Sequence, residues 1–162
     1  EKRSQRRIHA QTRRPGPGVR ITQRRSGVDR IGQFQRKKNL VVYFYPKDDT
    51  PGCTMEALEF SDLLEEFSAL DTEIFGVSMD NCMSHGDFRD KHGLSITLLA
   101  DIEGILCKAY DVWQEKEVHG EKRMGINRST FVIDKQGKVR HALYGVKPKG
   151  HAAQVLDMIR GL

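Results

Sequence analysis

Leu40-Val41-Val42-Tyr43-Phe44-Tyr45 is an unbroken apolar run of strand length, the pattern of a strand covered on both faces. Pro46 stops it, and Asp48, Asp49, Thr50, Pro51 and Gly52 make a turn. From Thr54 the apolar residues Ala57, Phe60, Leu63, Leu64 and Phe67 recur at helical spacing, which predicts one helix over residues 54–69. A second strand is predicted at 73–78. A helix near 84–92 follows, with Ser84-x-x-Asp87 as its capping pair and Gly93 as its stop. A short strand around 98–100 and a helix around 103–110 come next. A hairpin then pairs 130–133 with 139–144 about Asp134-Lys135-Gln136-Gly137. The last helix, 151–159, carries Ala152, Val155, Leu156 and Ile159 on one stripe. Strand and helix alternate through the first half, so the chain reads as an α/β domain built from a βαβ unit.

This pattern places Cys53 in the first turn of a helix, directly after a buried strand. The unpaired N–H groups and the positive end of the helix dipole favour an anion there, and the thiolate is the nucleophilic form of a cysteine. In open α/β sheets, sites lie beyond the carboxyl end of a strand, which is where residues 46–53 fall.

Pro46-x-x-x-Thr50-x-x-Cys53, after the strand and before the helix, resembles the active-site loop of the peroxiredoxins. Lys47-Asp48-Asp49-Thr50-Pro51-Gly52-Cys53-Thr54 is similar to the bacterioferritin-comigratory, or Q-type, branch. Downstream, Gly76-Val77-Ser78, Ser84-His85, Lys91-His92-Gly93-Leu94, Leu98-Leu99-Ala100-Asp101, Tyr110-Asp111-Val112-Trp113 and Arg128-Ser129-Thr130-Phe131-Val132-Ile133-Asp134 fall in the family's order. The resemblance spans residues 39–162 and implies a thioredoxin-like fold, a mixed central sheet with helices on both faces. It also implies a thiol peroxidase that reduces hydrogen peroxide and organic hydroperoxides, is reset by thioredoxin or a similar thiol donor, and needs no cofactor.

The roles that the resemblance carries make physical sense. Cys53 is the expected peroxidatic cysteine, whose thiolate attacks a peroxide oxygen and becomes a sulfenic acid. The Thr50 hydroxyl can accept from the peroxide and donate to the sulfur. Arg128 supplies a permanent cation for the thiolate and the leaving oxygen. Pro46, with a fixed φ and no N–H, shapes and shields the pocket. Taken alone, Thr50 reads as an ordinary helix-entry or turn residue and Arg128 as a solvated side chain at a strand start; the surrounding motifs reverse both readings.

The remaining cysteines bear on recycling. Many relatives carry a resolving cysteine five residues after the first, where this chain has Leu58, and a second known location falls near Arg89. Cys82, read as a loop residue, is the candidate resolving cysteine. Without it the protein would hand its sulfenic acid to an external thiol. Cys107 reads as a packed helix position. A bridge needs Cα atoms within about 7 Å, hence local unwinding of the helix start.

Composition narrows the reading. Three cysteines in 162 residues, irregularly spaced and without a Cys-x-x-Cys pair, argue against a disulfide scaffold, a zinc ribbon or a dithiol exchanger, and for a reducing, cytoplasmic compartment. The six histidines, among them His85, His92, His119 and His151, show no ligand spacing and read as surface residues, so no metal is expected. No apolar run approaches the roughly 18 residues of a membrane span. Monomer is the default that the family suggests.

Residues 1–38 stand apart. Thirteen Lys and Arg face only Glu1 and Asp29, a net +11, which leaves −6 for residues 39–162. Pro15-Gly16-Pro17-Gly18 interrupts the segment, and its composition reads mostly as disordered. The family's N-terminal hairpin and its Gly-x-x-Ala-Pro-x-Phe segment are absent. Three readings stay open: an Arg-rich organellar targeting segment, a nucleic-acid contact, disfavoured because only Phe34 could stack on a base, and a reading-frame error. For the last, Gln33-Phe34-Gln35-Arg36-Lys37-Lys38 can be encoded so that the adjacent frame reads Asn-Phe-Lys-Gly-Lys, as the family has before Asn39. The alternative to an enzyme is therefore a catalytically impaired relative with a basic tail that binds nucleic acid or holds unfolded chains.

Overall fold

The computed structural model describes residues 27–162. In chain order the elements are α1 (Gly27–Phe34), β1 (Asn39–Phe44), α2 (Pro51–Asp62), α3 (Leu64–Ala69), β2 (Thr72–Ser78), α4 (Cys82–His92), β3 (Thr97–Ala100), α5 (Ile105–Ala109), β4 (Trp113–Val118), β5 (Glu121–Ile126), β6 (Ser129–Ile133), β7 (Val139–Tyr144) and α6 (His151–Arg160). Five strands form one mixed sheet in the order β3-β2-β1-β6-β7. The β1–β2 and β2–β3 pairs are parallel, and β6 pairs antiparallel with β1 and β7.

The apolar run of β1 has a simple cause. Leu40, Val42 and Phe44 pack into one core with Ile31, Leu106 and Tyr110, while Val41, Tyr43 and Tyr45 pack into the other with Phe60, Phe67, Phe88 and Val155. Alternate residues serve opposite faces, each covered by helices, so no β1 position can be polar and solvated. The α/β, thioredoxin-like expectation holds.

Several boundaries differ from the sequence reading. The helix expected over 54–69 is two helices, broken at Leu63 (φ −100°, ψ 9°), whose N–H turns back to Glu59 and Phe60 carbonyls. α4 starts at Cys82, not Ser84, because Asn81 is the cap: its side chain accepts the Ser84 N–H at 2.8 Å. Ser84 and Asp87 thus lie inside the helix. Gly93 ends it at φ 64°, as expected.

The hairpin β4–β5, a separate two-stranded sheet, was not foreseen. Its turn uses His119 (φ 54°) and Gly120 (φ 81°), the paired positive φ values of a two-residue hairpin loop. Residues 27–38, read from composition as part of the basic segment, contribute α1, whose Ile31 is fully buried with Val28 and Phe34 packed beside it. Val28, Ile31 and Phe34 are three residues apart, a helical spacing too short to stand out among the charges. The expectations for residues 1–26 lie outside the described residues.

Candidate active site around Cys53

β1 ends at Phe44 and the chain turns through residues 45–50 before α2 begins. That turn is tied to α4 at both ends of the helix. Asp48 accepts from Tyr45 Oη at 2.6 Å and Ser84 Oγ at 2.7 Å, and its Oδ2 lies 2.7 Å from His85 Nδ1. The Asp48 N–H donates to Asp80 Oδ2 at 2.8 Å, which also receives Ser78 Oγ at 2.7 Å. The far ring nitrogen of His85 lies 3.0 Å from the Leu99 carbonyl, so both nitrogens face acceptors. Asp49, held at φ 61°, bonds Lys91 at 2.7 Å near the other end of α4, with His92 Nε2 also at 2.7 Å.

Burial opposes the charge of Asp48, but the bonds from His85, Tyr45 and Ser84 outweigh it and hold the carboxyl below its usual range. The reading of His85 and His151 as surface residues is therefore corrected: they are 4% and 2% exposed, His151 lying 2.8 Å from Thr130 Oγ1. Desolvation lowers the pKa of His151. Among the described residues, Asp48, Asp80 and His85 form the one group whose ligand-type atoms converge, within 4.8 Å. Their hydrogen bonds to one another and to Tyr45, Ser78 and Ser84 make them a clamp on the loop.

α2 then delivers the thiol. Pro51 occupies its first turn, where its missing N–H costs nothing, and Cys53 follows, 1% exposed. Arg128, on the connection between β5 and β6, reaches across: Nη2 donates to Cys53 Sγ at 3.4 Å, and Nη1 donates to Glu56 Oε1 at 2.7 Å. Gly52 makes room, since a Cβ there would sit 3.2 Å from Arg128 Nη2 and 3.3 Å from Pro148 Cγ. Burial works against the guanidinium charge, but Glu56 and Cys53 more than restore it, so its pKa is raised. Glu56 is fully buried, and its Oε2 has no hydrogen-bond partner. Burial pushes its carboxyl up to about 7 despite the opposing pull of Arg128.

The structure thus brings Cys53 and Arg128 together, as expected. Thr50 is the N-cap residue of α2 but makes no side-chain cap bond; its hydroxyl donates to the Lys47 carbonyl at 3.0 Å. That bond uses its one proton, so the expected donation from Thr50 to the sulfur is not made here, while its lone pairs remain able to accept. Pro46 is exposed, at the bend after β1. Cys82 is corrected from a loop residue to the first residue of α4, and it is exposed. Cys107 is buried in α5, as expected, and burial, reinforced by Asp101, pushes its thiol up. None of the three cysteines is in a disulfide.

Two residues of this shell went unread in the sequence. Glu56 could have been found as the position one helical turn after Cys53. Lys116, on β4, feels both Arg128 and Cys53: burial and Arg128 lower its pKa, with Cys53 opposing. No sequence signal marked it, because its hairpin was not seen.

Comparison with known proteins agrees with this geometry. The model of the AhpC/TSA family matches residues 27–142. The chain belongs to that family. It is 48% identical over 125 residues to the peroxiredoxin Bcp of Bacillus subtilis, covering 77% of this chain and 80% of that protein. With the peroxiredoxin Bcp of Xanthomonas campestris it shares 46% over 121 residues, 75% and 76% of the two chains. Among solved structures, the bacterioferritin comigratory protein of X. campestris, described by its alkyl peroxide reduction activity, superposes with a TM-score of 0.73 at 44% identity, covering 76% of this chain and 79% of that one. A cysteine-to-serine mutant of the PrxQ of Xylella fastidiosa superposes with a TM-score of 0.77 at 40% identity, covering 81% and 80%. This peroxiredoxin presents Cys53 at a helix start.

Proposed function

We propose that this peroxiredoxin is a thiol-dependent peroxidase for hydrogen peroxide and organic hydroperoxides, acting through Cys53. The observation that carries the reading is Arg128 reaching Cys53 Sγ at 3.4 Å in the first turn of α2. The Cys53 thiolate attacks one peroxide oxygen. The S–O bond forms as the O–O bond breaks, and the departing hydroxide or alkoxide takes a proton from solvent to leave as water or alcohol. Arg128 stands beside the sulfur where charge passes to the leaving oxygen. Thr50, its proton engaged by Lys47, accepts from the peroxide O–H and orients it.

Cys53 is 1% exposed, so reduction of the sulfenic acid formed on it requires the first turn of α2 to open. A thiol then displaces water to form a disulfide, which a second thiol reduces. Cys82, exposed at the start of α4, is the candidate for the first thiol, and thioredoxin or a similar donor for the second. Among the described residues no helix is long and apolar enough to cross a membrane. We assign the chain to a reducing compartment, the cytoplasm, as a monomer. The non-catalytic alternative loses support because the Cys53–Arg128 pair is intact.

Peroxide consumption coupled to thioredoxin tests this. Wild type is expected to turn over and Cys53→Ser not to. Cys82→Ser that turns over only with small thiols would assign Cys82 as resolving, whereas full turnover with thioredoxin would mean one-cysteine chemistry. Activity retained in Cys53→Ser would overturn the reading.

A further inference from the structure

Glu56 is not needed to hold a neutral thiol, yet it is fully buried one helical turn from Cys53. One of its oxygens takes the 2.7 Å bond from Arg128 Nη1, and the other has no partner. The same guanidinium reaches Cys53 through Nη2. Two buried acids therefore face the one cation that is hydrogen-bonded to either of them, Lys116 acting on Cys53 without a bond to it, and a second full negative charge there would have no directly bonded counter-ion. We propose that Cys53 and Glu56 share one negative charge opposite Arg128, so that the carboxyl of Glu56 is a positioning residue that sets how much of Cys53 is thiolate.

The exchange is a single proton transfer. The Cys53 S–H bond breaks, an O–H bond forms on Glu56, and the thiolate inherits the charge of the carboxylate, with no other reactant. The unpartnered Oε2 is where the proton costs least, since a neutral carboxyl there needs no second donor. Burial pushes the Glu56 carboxyl up to about 7, which makes it a better holder of a proton than an ordinary carboxylate. The other groups facing the pair are Glu59 on α2, which raises Glu56 further, and Tyr43 on β1, a neutral phenol whose ionisation both Glu56 and Cys53 oppose. Lys116 on β4 acts on Arg128 and Cys53. His151 on α6 is disfavoured as a cation by Arg128. None of them bonds Glu56 Oε2.

The proposal rests on the reading of Cys53 as the nucleophile, and its test is separable from that reading. Iodoacetamide alkylation of full-length protein, read at Cys53 by peptide mass across pH, compares wild type with Glu56→Gln. The glutamine keeps the shape and removes the competing charge. The alkylation midpoint is expected to fall by about one unit, about tenfold more thiolate below it; a midpoint that stays or rises would overturn the proposal. Should the variant not fold, the carbon-13 titration of the Glu56 carboxyl in wild type and Cys53→Ser answers the same question, because coupling is reciprocal. Its midpoint is expected to drop in Cys53→Ser, and an unchanged midpoint would refute the shared charge. Neither readout depends on peroxide turnover.

Discussion

Asp48 and Glu56 are buried carboxylates on either side of Cys53, and their surroundings drive them in opposite directions. Asp48 receives Tyr45, Ser84 and His85 across its two oxygens, and its pKa is lowered. Glu56 receives one bond from Arg128 and leaves Oε2 bare, and its pKa is raised. Burial penalises the charge of both. The number of donors that each meets decides the outcome, making the first an anchor and the second a titrating partner of the thiol.

The largest effect is expected from removing the cation on the Glu56 side. Arg128→Met should slow the reaction of Cys53 with peroxide by about 10²–10³, the usual cost of losing one preorganised donor at a developing oxyanion. Stopped-flow measurement of the second-order rate checks it, and a loss below tenfold would mean Arg128 is only structural.

On the other side, Asp48→Asn should cost about 3 kcal/mol in urea unfolding, because His85, Ser84 and Tyr45 all lose the carboxylate they bond. A cost under about 1 kcal/mol would show that the clamp does not hold the loop.

The pH dependence sharpens the contrast, since only Asp48 exchanges its proton with solvent on folding. Asp48 is lowered from 3.8, so its stabilisation is present above that value and is lost as pH falls through the lower folded one. Glu56 is raised from 4.5 to about 7. Under the shared charge the proton on Glu56 is the one that Cys53 gives up, so between pH 4.5 and about 7 the folded pair and the unfolded chain bind the same number of protons and the pair adds no slope to stability. Denaturant midpoints across pH should show the acid loss through Asp48 and no decline between 4.5 and about 7; a decline there that is absent from Glu56→Gln would mean that Glu56 takes its proton from solvent and not from Cys53.

The smallest effect belongs to the outer cation. Lys116→Met should lower the peroxide rate by about two- to fivefold and flatten its dependence on salt, whereas an unchanged salt profile would remove Lys116 from the field of the site.

How far the sequence discloses this arrangement varies by region. β1, the Cys53 turn and the stripe of α6 were legible because their apolar periods are imposed by a two-sided core. Arg128 was legible only through Ser129-Thr130-Phe131-Val132-Ile133-Asp134 behind it, since nothing local distinguishes a buried arginine from a solvated one. The hairpin β4–β5 was not legible: Trp113–Val118 and Glu121–Ile126 are half charged and pair only with each other, and only their Trp113 and Ile126 end reaches the core, so neither strand shows an apolar period. Its turn, His119-Gly120, was the one available signal. The buried roles of His85 and His151 depend on partners 37 and 21 residues away, Asp48 and Thr130, which no local pattern records. The break at Leu63 is equally silent, because both helices keep the same apolar spacing across it.

The most direct test of the account is intact-mass spectrometry of the fully reduced protein after one equivalent of hydrogen peroxide with a sulfenic-acid trap, comparing wild type with Cys53→Ser. Rapid oxidation that requires Cys53, seen as a trapped adduct on it or as a disulfide joining it to Cys82, is the predicted result. Oxidation that proceeds equally in Cys53→Ser, or a Cys53 that stays reduced, would contradict the assignment of this thiol as the peroxide-reducing centre.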